Sequence, residues 1–309
     1  MKRTGVVLVL LSLGLLSLSV WAGAQASGQP AQQNTPAGQA MPAPGAAPGT
    51  PAAKRPPQAK TQPEFDAYKA AASITDPAAM EKAADDFATK FPDSEIRILL
   101  YTNAMRLYQS TNNAEKTEAM GRKMLGLDPD NPEALVTVAE VIAEKTHDTD
   151  IDKDQRYAEA ISMAEKATQT VDTDIQVPTG TPQDKIDAYK ALLRSRAYSI
   201  IGTIDFKKDA FPAAAENLQK SIDAYPSDPD KVVVLRLALA IDKQATASAD
   251  QATKDKLYAE ALKVANRAVE LTQTEETGVV GTAARNERTR LEQLTRSAAP
   301  AQAQTPPKN

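Results

Sequence analysis

The chain has no cysteine and a single histidine, His147. The first absence excludes disulfides, thiolate metal sites, a cysteine nucleophile and a lipid anchor on an N-terminal cysteine. Any exported form therefore has to be stabilised by its packed core alone. Glycine is also scarce, 13 in 309 residues with several of them before residue 50, which leaves few for turns that cradle a ligand. There is no G-x-S-x-G and no phosphate-binding glycine loop, so a nucleophile and its base would have to come from carboxylates that the sequence scatters. These gaps predict a protein that is not an enzyme and needs no cofactor.

Acidic residues are missing from the start of the chain. The first 63 residues hold five Lys or Arg and no Asp or Glu, so the remainder carries 31 basic residues against 40 acidic ones. That balance argues against nucleic acid as a partner, because a nucleic-acid scaffold usually shows a basic stripe. Long apolar runs are missing as well, with one exception. Gly5 to Trp21 is apolar, follows Lys2 and Arg3, and ends at Ala22-Gly23-Ala24. It reads as a secretory signal over residues 1–24, with Ala24-Gln25-Ala26 as a second cleavage site. The expected location is periplasmic or secreted. The alternative is an uncleaved N-terminal helix that anchors a structural or assembly protein in the membrane, although spanning usually takes about 20 apolar residues.

From Gln25 to Pro63 the chain is built of Ala, Pro, Gln and Gly without one aromatic residue, and it holds nine of the 21 prolines. Too little apolar surface is present to offset the entropy of ordering, which predicts a disordered linker over 25–63. Residues 298–309 form a tail of the same kind. Between Glu64 and Ser297 the character changes: every aromatic residue after Trp21 lies here, and apolar residues take helical spacing. Prolines move to boundaries. Pro77, Pro132, Pro212 and Pro229 stand near helix starts, and Pro92, Pro129 and Pro226 follow helix ends, with Asp and Asn placed to cap. No segment alternates as a strand does, so the region is all-α.

Two stretches of it nearly repeat each other. RYAEAISMAEKA (156–167) and LYAEALKVANRA (257–268) lie 101 residues apart, within one residue of three periods of 34. Self-similarity at that period marks stacked helix pairs. In each copy small residues fall at i, i+4 and i+7, as Ala160, Ala164 and Ala167 and again as Ala261, Ala265 and Ala268. Such a stripe lets neighbouring helices approach closely.

At these residues the chain resembles the tetratricopeptide repeat (TPR) family. Tyr198, Ile201 and Gly202 match the family's first-helix pattern, and Phe211, Ala214, Leu218, Ser221 and Pro226 match its second helix. An earlier unit offers Tyr101, Ala104 and Tyr108, then departs from the pattern with Thr117 and Gly121. The resemblance implies an α-solenoid of about five helix pairs over 64–297, with a capping helix near Gly281 to Arg296. The extra length beyond a strict period is assigned to loops at Thr146–Asp154, Thr173–Asp184 and Gln244–Thr253. It also implies an interaction scaffold that binds a protein or peptide on the concave face made by first helices, where Arg106, Gln109, Glu140, Glu144, Arg196, Thr203 and Lys207 fall. The family's carboxylate-clamp pattern of Lys and Asn is not found.

One loop tempts a metal reading. Asp148, Asp150 and Asp152 are spaced like the first ligands of an EF-hand, with Glu159 at the twelfth position. Lys153 stands where that loop needs glycine, and Glu159 falls inside a repeat helix. The stretch is expected to be an acidic solvated loop with helix-capping aspartates, not a calcium site.

Overall fold

The structure is a computed structural model that describes residues 54–178, 180–274 and 278–298. The stretch read as a secretory signal (1–24), the part read as linker up to residue 53 and the part read as tail from residue 299 lie outside the described residues. Among the described residues there are eleven α-helices and no strand. They form five antiparallel pairs: α1 (Gln62–Ala72) with α2 (Pro77–Lys90), α3 (Arg97–Ser110) with α4 (Ala114–Leu127), α5 (Pro132–Lys145) with α6 (Lys153–Thr170), α7 (Gln183–Lys207) with α8 (Phe211–Ala224), and α9 (Lys231–Ala247) with α10 (Gln251–Leu271). A last helix, α11 (Val279–Ala298), closes the stack against α9 and α10.

The boundaries follow from capping chemistry. Asp76, Asn113, Asn131, Asp230 and Asp250 each accept a hydrogen bond from a backbone N–H in the first turn of the helix they precede. Pro77 and Pro132 occupy the first helical position, where the missing N–H costs nothing. Inside two pairs the tight turn passes through a left-handed residue, Asn112 and Asp209, both with φ of 57°. Asn and Asp tolerate that conformation better than most side chains.

Packing places the two alanine stripes where the repeat requires them. Ala160 and Ala164 are fully buried, as are Ala261, Ala265 and Ala268. Each stripe faces the first helix of its own pair and the first helix of the next element, so the near-repeat in the sequence is a packing requirement. Gly121 also earns its place: a Cβ there would stand 2.5 Å from Val138 Cγ2, so glycine lets α4 press onto α5. First helices pack on one another as well, α1 on α3, α5 on α7 and α7 on α9, as befits the inner arc of an α-solenoid.

Two expectations change. The stretch Gln244–Thr253 is not a long loop, since α9 runs on to Ala247 and α10 begins at Gln251. Extra length in that repeat is taken up as helical turns. The second change concerns the segment read as linker, whose last residues, 54–63, are engaged with the array. Thr61 caps α1 through a capping box with Glu64, so the helix starts at Gln62. Residues 54–60 run extended along the loops that join one pair to the next. The Lys54 N–H donates to the Thr173 carbonyl at 2.8 Å, and its Nζ meets Asp128 at 2.6 Å. Arg55 makes a two-pronged contact with Glu95, at 2.8 and 2.6 Å. Lys60 Nζ donates to the Asp93 carbonyl at 2.6 Å. Composition alone misses this segment because charge pairs, not apolar burial, hold it.

Candidate partner-binding face

The seven residues placed on the concave face by the repeat frame lie on α3, α5 and α7, and the structure joins most of them into a ladder of charges. Arg106 on α3 forks onto Glu133 at the start of α5, at 2.7 and 2.8 Å. Tyr189 on α7 interacts with both, and burial together with the Glu133 charge pushes its hydroxyl pKa up. Burial works against the Arg106 charge, but Glu133 more than offsets it and the guanidinium is held firmly ionised. One step along, Arg196 on α7 pairs with Glu140 on α5. Its side chain is only 19% exposed, so this pair is part of the packing between repeats.

The next rung is different. Lys207 at the end of α7 donates to the Ala143 and Thr146 carbonyls, at 2.6 and 3.3 Å, capping the C-terminus of α5. Its ammonium also lies 5.6 Å from the centre of the Tyr157 ring. Burial and the nearby Arg236 push its pKa down. Thr203 accepts a hydrogen bond from Arg236 on α9 at 2.8 Å. Glu144 is exposed and lies in the field of Arg196, Lys207 and Arg236, and its side chain makes no hydrogen bond among the described residues. Burial and the Glu140 charge raise its pKa to about 6, and the three cations only partly counter that. Gln109 is half-buried on α3; its carbonyl accepts the Asn112 N–H at 3.0 Å, and its side chain has no hydrogen-bond partner among the described residues.

Sequence reasoning thus placed seven side chains on one face, and it missed three that complete it. Arg236 lies 33 residues after Thr203, one repeat step, and the same frame extended to α9 finds it. Glu133 and Tyr189 sit nearer the helix starts, before the positions the repeat pattern marks. A cavity of about 570 Å³ lies at the N-terminal end, between α1 and α3, with a mixed lining that includes Pro57, Lys60, Gln62, Phe65, Tyr68 and Leu99.

The calcium-like residues are not brought together. Asp150 accepts the His147 N–H at 2.9 Å, and Asp148 lies 3.8 Å from Lys153 Nζ. Asp152 stands at the start of α6 without a side-chain capping bond, against the capping role expected of it. Glu159 points to the outer surface and pairs with Arg122 of α4 at 2.8 Å. Among the described residues no group of three acidic, histidine or cysteine side chains is arranged to hold a metal, and no helix is long and apolar enough to cross a membrane.

No family model and no curated protein matches the chain. Solved structures similar to it include MamA protein, at 16% identity and a TM-score of 0.38 over 65% of this chain and 89% of that one. A human IFIT1 dimer with m7Gppp-AAAA is similar at 16% identity and a TM-score of 0.35, over 76% of this chain and 56% of that one. The assembly chaperone of RpL4, Acl4, residues 1–338, is similar at 12% identity and a TM-score of 0.38, over 76% and 99%. At these values none of them lends its activity or its ligand to this chain.

Proposed function

We propose that the chain is a non-catalytic interaction scaffold of the tetratricopeptide repeat type, exported to the cell envelope or beyond, that takes a protein or peptide partner on its first-helix face. One observation carries this reading. Polar and charged side chains of α3, α5, α7 and α9 align across four successive repeats, and where the rungs meet the side chains of Glu144 and Gln109 have no hydrogen-bond partner among the described residues. Glu144 is exposed at the end of α5, in the field of Arg196, Lys207 and Arg236, an arrangement that presents both signs of charge to an incoming segment.

Site-specific photo-crosslinking tests the reading. A photoreactive side chain at Gln109, Glu144 or Thr203 should capture a partner from envelope extract, while one at Lys263, exposed on the second helix α10, should not. Capture only from Lys263 would place the partner on the outer surface. Adducts that vanish on nuclease treatment would make the partner a nucleic acid. Mass spectrometry of the native N-terminus tests export: a start at Gln25 or Ser27 supports a freed protein, and an intact Met1 supports the tethered alternative.

A further inference from the structure

The loops that connect successive pairs line one edge of the array, and over the first three pairs that edge is acidic. It carries Glu95 in the α2–α3 loop, Asp128 in the α4–α5 loop and Asp174 in the α6–α7 loop, with Asp130 beside Asp128 already paired to Lys166 at 2.7 Å. Residues 54–60, KRPPQAK, lie along it. The fit in length is close: six residue steps of polyproline II cover about 19 Å, and two repeat steps at the spacing of packed helices cover roughly 16–20 Å. Pro56 and Pro57 favour the extended form before contact is made.

Two properties of the contact bear on what the edge can do. Its acceptors are built in advance. Asp128 is buried, with 8% of its side chain exposed, and besides Lys54 it receives the Gln176 amide at 3.0 Å. Glu64, which receives the Lys60 N–H of the segment, is held independently of it by the Ser94 hydroxyl and the Thr61 N–H, and these bonds lower its pKa. The occupant, by contrast, is held lightly. Arg55 is 64% exposed and Lys54 40%, no large apolar side chain is buried, and ion pairs this exposed contribute little each. If the segment leaves, Asp128 stays buried near Asp174 with the Gln176 amide as its only side-chain donor among the described residues. That geometry favours another cation in the vacated place.

We propose that this edge is a docking track for extended basic segments of partner proteins, and that residues 54–60 are its resident occupant, displaced when the partner binds. The track lies along the inter-pair loops and does not depend on the first-helix face. Occupation in cis raises the threshold for a partner, because a tethered segment competes at an effective concentration in the millimolar range.

The test uses a fluorescent peptide of residues 52–62 and the full chain, read by anisotropy. Lys54→Glu/Arg55→Glu in the chain should vacate the track, seen as faster amide hydrogen exchange over 54–61 with unchanged helicity. The peptide should then bind at least about tenfold more tightly than to the wild-type chain, and binding should fall away in about 0.5 M salt. Adding Asp128→Asn to the vacated chain should abolish it. Equal binding to the wild-type and vacated chains would put the peptide elsewhere and overturn the proposal. So would no binding to the vacated chain, unaltered binding after Asp128→Asn, or exchange over 54–61 that the double substitution leaves slow.

Discussion

Gly202 and Gly126 are both helical glycines, and the structure predicts that alanine at the two positions will have opposite effects. Replacing a helix-interior glycine with alanine gains about 0.8–1.0 kcal/mol from backbone entropy alone. At Gly126 nothing lies within 4 Å of where the new Cβ would stand, and although it is in the last turn of α4 a good part of that gain should appear. At Gly202 the Cβ would stand 2.8 Å from Leu218 Cγ and 2.9 Å from the Leu218 backbone nitrogen. The leucine side chain can turn, but the nitrogen can retreat only if α8 moves away from α7. Overpacking of that kind costs about 1–3 kcal/mol, which outweighs the entropy gain and leaves Gly202→Ala destabilised by roughly 1 kcal/mol. The two variants should therefore differ by about 2 kcal/mol. Urea unfolding followed by helical circular dichroism gives the sign, and amide exchange should show the loss from Gly202→Ala centred on α7 and α8. Equal shifts in one direction would mean that α7 and α8 are not in contact at Leu218, and the repeat frame would fall with that contact.

The acid range tests the first-helix face. Burial and Glu140 raise the pKa of Glu144 to about 6, above an ordinary value of 4.5, so its contribution to stability is complete below 4.5 and is lost as pH rises through 6. Glu144→Gln should remove that loss, and unfolding curves of variant and wild type that keep a constant offset from pH 4.5 to 7 would contradict it. At the far end of the array, Arg290 on α11 sits between Asp242 and Glu287, which are 4% and 8% exposed. Arg290→Met should leave two buried carboxylates without a cation and cost about 3 kcal/mol or more, seen first as lost exchange protection in α11. Substituting Arg106, Arg196 and Lys207 together by Ala should lower the melting temperature, since each is tied to a neighbouring repeat; an unchanged melting curve would show the ladder to be unformed.

What the sequence disclosed and what it hid follow from the range of the interactions involved. Ala160, Ala164 and Tyr198 announce their helices because packing recurs every 3.6 residues locally and every 34 along the array. Periodicity reports such contacts directly. The partners of Lys54 and Arg55, at sequence separations of 74 and 40, obey neither period, and nothing in KRPPQAK distinguishes a bound strand from a free one. Thr61-Gln62-Pro63-Glu64 did carry a local signal, a capping box with proline in the first turn. On the candidate face the frame gave position but not pairing: it placed Arg196 and Glu140 on one surface, and only the geometry shows that they meet.

A stack of helix pairs is, energetically, a line in which each unit knows only its neighbours, so that its ends fray and its middle holds. Lys54 changes that topology. By tying the residues just before the first helix to the junction after the sixth, it turns the first three pairs from a line into a closed ring. In a ring, opening any one of these three pairs also releases the segment, so each opening carries the small added cost of its ion pairs, while the pairs beyond them open without it.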